Sequence, residues 1–147
     1  MKVNKYQDYQ IINKYCLFVL GSPLFFNLRF VVKRVYSIKS KNELDLVFKE
    51  KKSVGNGYFV IYFIPHETPH FKYAISIGKK FGNAVERNQA KRRLRYIVSN
   101  YSNYINPKYR FVIVVRPQSN LLPYDLIKEN ITKLLIKAKL IEKEAQN

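Results

Sequence analysis

The residues best suited to hold a polyanion lie together in Gly78-Lys79-Lys80-Phe81-Gly82-Asn83-Ala84-Val85-Glu86-Arg87-Asn88-Gln89-Ala90-Lys91-Arg92-Arg93-Leu94-Arg95. Seven of these residues are Lys or Arg, and Glu86 is the one carboxylate among them. At about 100° per residue, Arg87, Lys91 and Arg95 line one side of a helix, with Asn88 and Arg92 alongside. Arginine's planar fork pairs bidentately with phosphate oxygens, and Asn88 adds neutral hydrogen bonds. Gly78 and Gly82 frame a loop carrying Lys79, Lys80 and Asn83 into this helix; its free amides and the positive end of the helix dipole suit a further phosphate. Most charge runs are simply solvated faces. Here, however, like charges at helical spacing cost stability, and only one nearby carboxylate relieves them.

Other constellations that could do chemistry are weak. His66-Glu67-Thr68-Pro69-His70 spells the His-Glu-x-x-His pattern of zinc proteases, which places both histidines on one helical face. Pro69 removes a backbone donor and drives Thr68 from helical geometry, so the segment reads as a turn between strands. With two turn histidines and a lone Cys16, no Ser-His-Asp or Cys-His arrangement is credible. Glu43, Asp45 and Glu50 share one short helix and read as its solvent side rather than as a metal cluster. Neither a catalytic residue nor a metal ligand is expected on this chain.

The elements that must position the basic helix follow from periodicity. Ser40–Lys49 reads as an amphipathic helix with Leu44, Val47 and Phe48 on one face, Ser40 and Glu43 forming a capping box. Gly55-Asn56-Gly57 breaks the chain, and Tyr58–Ile64 is a strand rich in β-branched and aromatic residues. After a turn at Pro65–Pro69, Phe71–Ile77 is expected to pair back on it as a hairpin. The basic helix, Ala84–Tyr101, has Ala90, Leu94, Ile97, Val98 and Tyr101 as a separate apolar stripe. Tyr109–Val115 is a third strand. Tyr124–Leu140 is a last helix whose inward stripe is Ile127, Ile131, Leu134, Leu135 and Ala138. The order α-β-β-α-β-α predicts a small α/β sandwich, a mixed sheet packed by helices.

Composition points to a nucleic-acid partner first and to an acidic membrane surface second. The 147 residues carry 27 Lys plus Arg against 10 Asp plus Glu, a formal charge of +17, which a polyanion would relieve. Twelve Tyr and ten Phe exceed what so small a core needs, and rings among cations suit unpaired bases. A single cysteine excludes an intramolecular disulfide and fits a reducing cytoplasm, the expected location.

The run Phe81-Gly82-Asn83-Ala84-Val85-Glu86-Arg87-Asn88-Gln89-Ala90-Lys91-Arg92-Arg93-Leu94-Arg95 resembles the signature of the bacterial ribonuclease P protein family. The resemblance extends over nearly everything from about Lys33 to Leu140. It implies the protein subunit of a ribonucleoprotein whose RNA is the catalyst and holds the required magnesium, no cofactor being bound by the protein itself. The reaction implied is endonucleolytic removal of 5′ leaders from precursor tRNA. The partners are then the catalytic RNA and the leader, with no stable protein partner and no membrane. By position, Lys79, Lys80, Asn83, Arg87, Asn88, Lys91, Arg92 and Arg95 become the RNA-binding residues, and Phe48 and Tyr62 line the leader cleft. The fold implied has a left-handed βαβ crossover, as in the second domain of a small-subunit ribosomal protein; pattern alone would suggest the right-handed one. Gln89 departs from the family's second Arg, which weakens that contact, and Leu44 replaces a cleft aromatic. A generic or ribosome-associated RNA-binding module shares the charge and aromatics but not the signature with its matching flanks.

Residues 1–32 form an atypical N-terminal extension before the domain at 33–140, and 141–147 a polar tail. Its apolar run, Tyr15–Phe26, is broken by Gly21 and Pro23 and falls short of the roughly 20 residues a membrane helix needs. Asp8 among its lysines and the lack of a small-residue cleavage site argue against a signal peptide. The segment is expected to be an upstream reading-frame extension, with the working start near Leu28, Val31 or Val32. The rival reading, a membrane-surface anchor at 15–32, predicts sedimentation with lipid.

Overall fold

The computed structural model describes residues 35–141, and the expectations for residues 1–32 fall outside them. The elements in chain order are α1 (Lys41–Lys49), β1 (Ser53–Gly55), β2 (Phe59–Pro65), β3 (Lys72–Ile77), α2 (Ala84–Asn100), β4 (Tyr109–Val115) and α3 (Tyr124–Lys137). Short 3₁₀ turns at Lys79–Phe81 and Pro117–Leu121 lead into α2 and α3. The mixed α/β sandwich is therefore present, with one strand more than expected.

That strand is β1, which pairs antiparallel with β2, Val54 opposite Ile61. Asn56 organises the turn between them: its Oδ1 accepts from the Tyr58 and Phe59 amides at 2.9 and 2.8 Å. Its Nδ2 donates to Asn130 Oδ1 of α3 at 2.8 Å, fastening this corner to the helix layer.

The sheet order is β1-β2-β4-β3, with β2 and β4 antiparallel and β3 and β4 parallel. The expected β2–β3 hairpin is thus incorrect, because β4 lies between them. The reason is apolarity. Phe111, Val112, Ile113 and Val115 are all buried, so β4 needs cover on both faces and pairing on both edges. Lys72 and Ser76 tolerate the edge position that β3 takes. The start of that edge is covered by residues 36–38: Ile38 donates to the Tyr73 carbonyl at 3.0 Å, and Tyr73 to that of Tyr36 at 2.7 Å. The β3–α2–β4 unit joins two parallel neighbours by a helix, the connectivity the resemblance implies.

One sheet face packs α2 and α3. Phe59, Ile61, Phe111 and Ile113 meet Leu94, Ile97 and Val98 of α2 and Ile131 and Leu135 of α3. Each such side chain contributes about 1.5–3 kcal/mol on burial. The apolar stripes expected of both helices do face the core, Ala90 and Tyr101 at its margin. The other face is covered by α1, through a smaller cluster of Ile38, Val47, Ile64 and Val112.

Candidate nucleic-acid interface

The start of α2 is fixed by its own side chains. Asn83 Oδ1 accepts from the Glu86 amide at 2.9 Å, and Glu86 Oε2 accepts from the Asn83 amide at 2.8 Å. This capping box went unread in the sequence, although Asn followed three residues later by Glu is its signal. It engages two of the amides on which a phosphate at this helix end would rely. Gly82 just before it has φ +158° and ψ −167°, a region open essentially to glycine alone. Arg87 Nη1 reaches back to the Gly82 carbonyl at 3.3 Å.

With Glu86 engaged in the cap, the cations of α2 have no acidic partner among the described residues. Among the described residues the ion pairs are Lys72–Glu43, Arg110–Glu43 and Lys133–Glu129, and none involves α2. Asn88, Arg92 and Arg95 are exposed, while Arg87 and Lys91 are half-buried. Burial pushes the Tyr73 hydroxyl up from its ordinary pKa, and the positive charge of Arg95 pulls it back. Lys79 and Lys80 stand exposed on a turn anchored by buried Phe81, whose carbonyl accepts from Asn120 Nδ2 at 3.0 Å.

Phe48 and Tyr62 come together on the opposite face. Their ring centroids are 5.1 Å apart, with planes inclined at 68°. Past these rings the face is open: Val60 and Val114 are half-buried and Ser76 is exposed. The result is an apolar trough with an aromatic wall, 38% of Phe48 remaining accessible. Leu44 packs with the cluster under α1. The residues singled out in the sequence therefore form two surfaces on opposite faces of the sheet. Lys79 and Lys80 follow the edge strand β3 and lead into α2. The strand positions lining the trough, Val60, Val114 and Ser76, were missed, because their alternation becomes informative only once the strand order is known.

Two further sequence expectations are corrected at α1. Ser40 is its N-cap but makes no side-chain cap hydrogen bond. Glu43 is half-buried rather than free on the solvent side; its Oε1 lies 3.4 Å from Lys72 Nζ and 3.2 Å from Arg110 Nη2. Attraction to two cations, one of them buried, outweighs a single amide hydrogen bond. The histidines occupy the β2–β3 connection: His66 Nε2 meets Arg110 Nη2 at 2.5 Å, and His70 packs edge-on against Tyr36. Among the described residues no three His, Cys, Asp or Glu side chains cluster to hold a metal, and no helix is long and apolar enough to cross a membrane.

Residues 32–139 match the family model described as Ribonuclease P. The ribonuclease P protein component of Acholeplasma laidlawii is 99% identical over 116 residues, covering 79% of this chain and 100% of that one. Among solved structures, a Staphylococcus aureus RNase P protein mutant with defective mRNA degradation activity superposes with a TM-score of 0.74 at 27% identity, covering 82% of this chain and 100% of its own. The RNase P protein of Thermotoga maritima gives 0.64 at 27% identity, covering 69% and 96%.

Proposed function

The chain belongs to the ribonuclease P protein family, and from that membership we propose a division of labour between its two surfaces: the α2 side grips the RNA subunit, and the trough beside α1 holds the precursor tRNA leader. As a member of the family it is a subunit of an endoribonuclease whose RNA carries out the catalysis. The observation that carries the proposal is the separation itself. Among the described residues the five cations of α2 have no carboxylate partner, while the rings of Phe48 and Tyr62 lie across the sheet.

A structured RNA offers a dense phosphate surface, which Arg87, Lys91, Arg92 and Arg95 with Asn88 match. A leader is single-stranded and varies in sequence, so stacking and phosphate contact suit it better than base-edge readout. Phe48 and Tyr62 supply the stacking, and Lys79 and Lys80 the charge. Asn83 acts through the cap, positioning the first turn. Magnesium stays with the RNA in this reading. Residues 1–32 lie outside the working unit in this reading, and their removal should leave cleavage unchanged.

The test is photocrosslinking from a leader carrying 4-thiouridine in the reconstituted complex. Crosslinks should map to Phe48 and Tyr62 and vanish when the leader is cut away. Crosslinks that map instead to α2 would overturn the assignment of the surfaces.

A further inference from the structure

The solvent ridge of α2 carries more than the signature side chains. Val85, Gln89, Arg92 and Tyr96 fall within an arc of about 60°. Val85 is 76% exposed and Tyr96 49%, and Gln89 and Arg92 are also exposed. The Tyr96 ring rests against Tyr124 at the start of α3, centroids 6.4 Å apart and planes tilted by 46°. Leu121, three residues before Tyr124, is 92% exposed, and its 3₁₀ turn is tied to the approach to α2 by the Asn120–Phe81 hydrogen bond. Tyr96 of α2 and Tyr124 of α3 thus meet at the surface, with Arg92 one helical turn from Tyr96.

We propose that Tyr96, backed by Tyr124 and flanked by the signature residue Arg92, is a stacking site for an unpaired base of the RNA subunit, an addition to the phosphate contacts of the signature stripe and separate from the leader trough. The charge selects the occupant. An apolar protein segment would leave the Arg92 guanidinium without an anion, whereas a nucleotide satisfies both groups, its base on the ring and its phosphate on the arginine. Tyr124 holds the ring in place beforehand, so stacking orders little that was free. Gln89, uncharged on the same ridge, suits a base edge better than a phosphate.

This site rests on the α2 side being the RNA-subunit interface, and the test separates the two claims. Affinity of the full chain for the catalytic RNA, without substrate, is measured across a salt series for Tyr96→Ala, Tyr96→Phe, Arg92→Ala and Arg87→Ala. Each phosphate contact steepens the salt dependence, whereas stacking does not. Tyr96→Ala should weaken binding about 5- to 150-fold at every salt concentration with an unchanged slope, and Tyr96→Phe should bind like the parent. Arg92→Ala should flatten the slope by about one. Tyr96→Ala at parental affinity, with the arginine variants weakened, overturns the stacking site and leaves the interface standing. Parental affinity in all four overturns both. A loss in Tyr96→Phe equal to that in Tyr96→Ala assigns the effect to the hydroxyl and also overturns stacking. Crosslinking of the unsubstituted chain to 4-thiouridine-containing catalytic RNA guards against misfolding of the variants. The adduct should fall at Tyr96 in the tryptic peptide Tyr96–Lys108, and an adduct elsewhere counts against the site.

Discussion

Glu43 Oε1 of α1 lies 3.2 Å from the Arg110 guanidinium of β4, a side chain with only 7% of its surface exposed. The same oxygen is 3.4 Å from Lys72 Nζ of β3. One carboxylate therefore ties the helix bearing Phe48 to two strands of the sheet. Arg110 Nε has no hydrogen-bond partner among the described residues, so the guanidinium depends heavily on Glu43 and His66.

Removing that carboxylate leaves a buried cation without an anion. For fully buried pairs this costs about 3–5 kcal/mol, and the partial exposure of Glu43 reduces it here to about 2 kcal/mol. Glu43→Gln should lower the melting temperature by roughly 8 °C. Glu43→Met combined with Arg110→Met should recover most of it. Thermal unfolding followed by circular dichroism reads both, and a double variant no better than the single one would contradict the pairing.

His66 makes the cluster sensitive to acid. Burial first, then Arg110 and Lys72, holds its ring below the ordinary histidine pKa. The folded protein thus binds fewer protons than the unfolded chain, whose histidine titrates near about 6.5. The stabilisation is complete above that pH and fades as pH falls through the depressed value. His66→Gln should lose less melting temperature between about pH 7.5 and 5.5 than the parent does. An equal loss in both proteins would remove His66 from the account.

Gly82 is the residue most constrained by backbone geometry at the interface. A Cβ there would run into the Glu86 carboxylate, and φ +158° disfavours any side chain. Gly82→Ala should cost the cap, about 1 kcal/mol, plus backbone strain of about 1–3 kcal/mol. Asn83→Ala should cost the cap alone. Denaturant unfolding distinguishes them, and equal losses would mean that the Gly82 conformation is unstrained.

Legibility in the sequence followed how local each signal was. The boundaries of α2 and β4 came within a residue, because a long basic-apolar periodicity and a run of five apolar strand residues each carry their own evidence. The β2–β3 pairing did not, since sequence adjacency favoured a hairpin while the apolarity of β4, more than thirty residues on, decided the centre of the sheet. Glu43 was misread for a similar reason. Its amphipathic position marks solvent, and only the parallel placement of Lys72 beside Arg110 turns it inward. The signature residues were legible as a set. Their separation from Phe48 and Tyr62 onto opposite faces needed the strand order.

The most direct test of the central claim is reconstitution with a bacterial ribonuclease P RNA and a precursor tRNA at low magnesium. Protein-dependent cleavage at the mature 5′ end, lost or strongly reduced in Arg87→Ala plus Arg92→Ala, is the predicted result. Tight, salt-sensitive RNA binding without any stimulation of cleavage would contradict it.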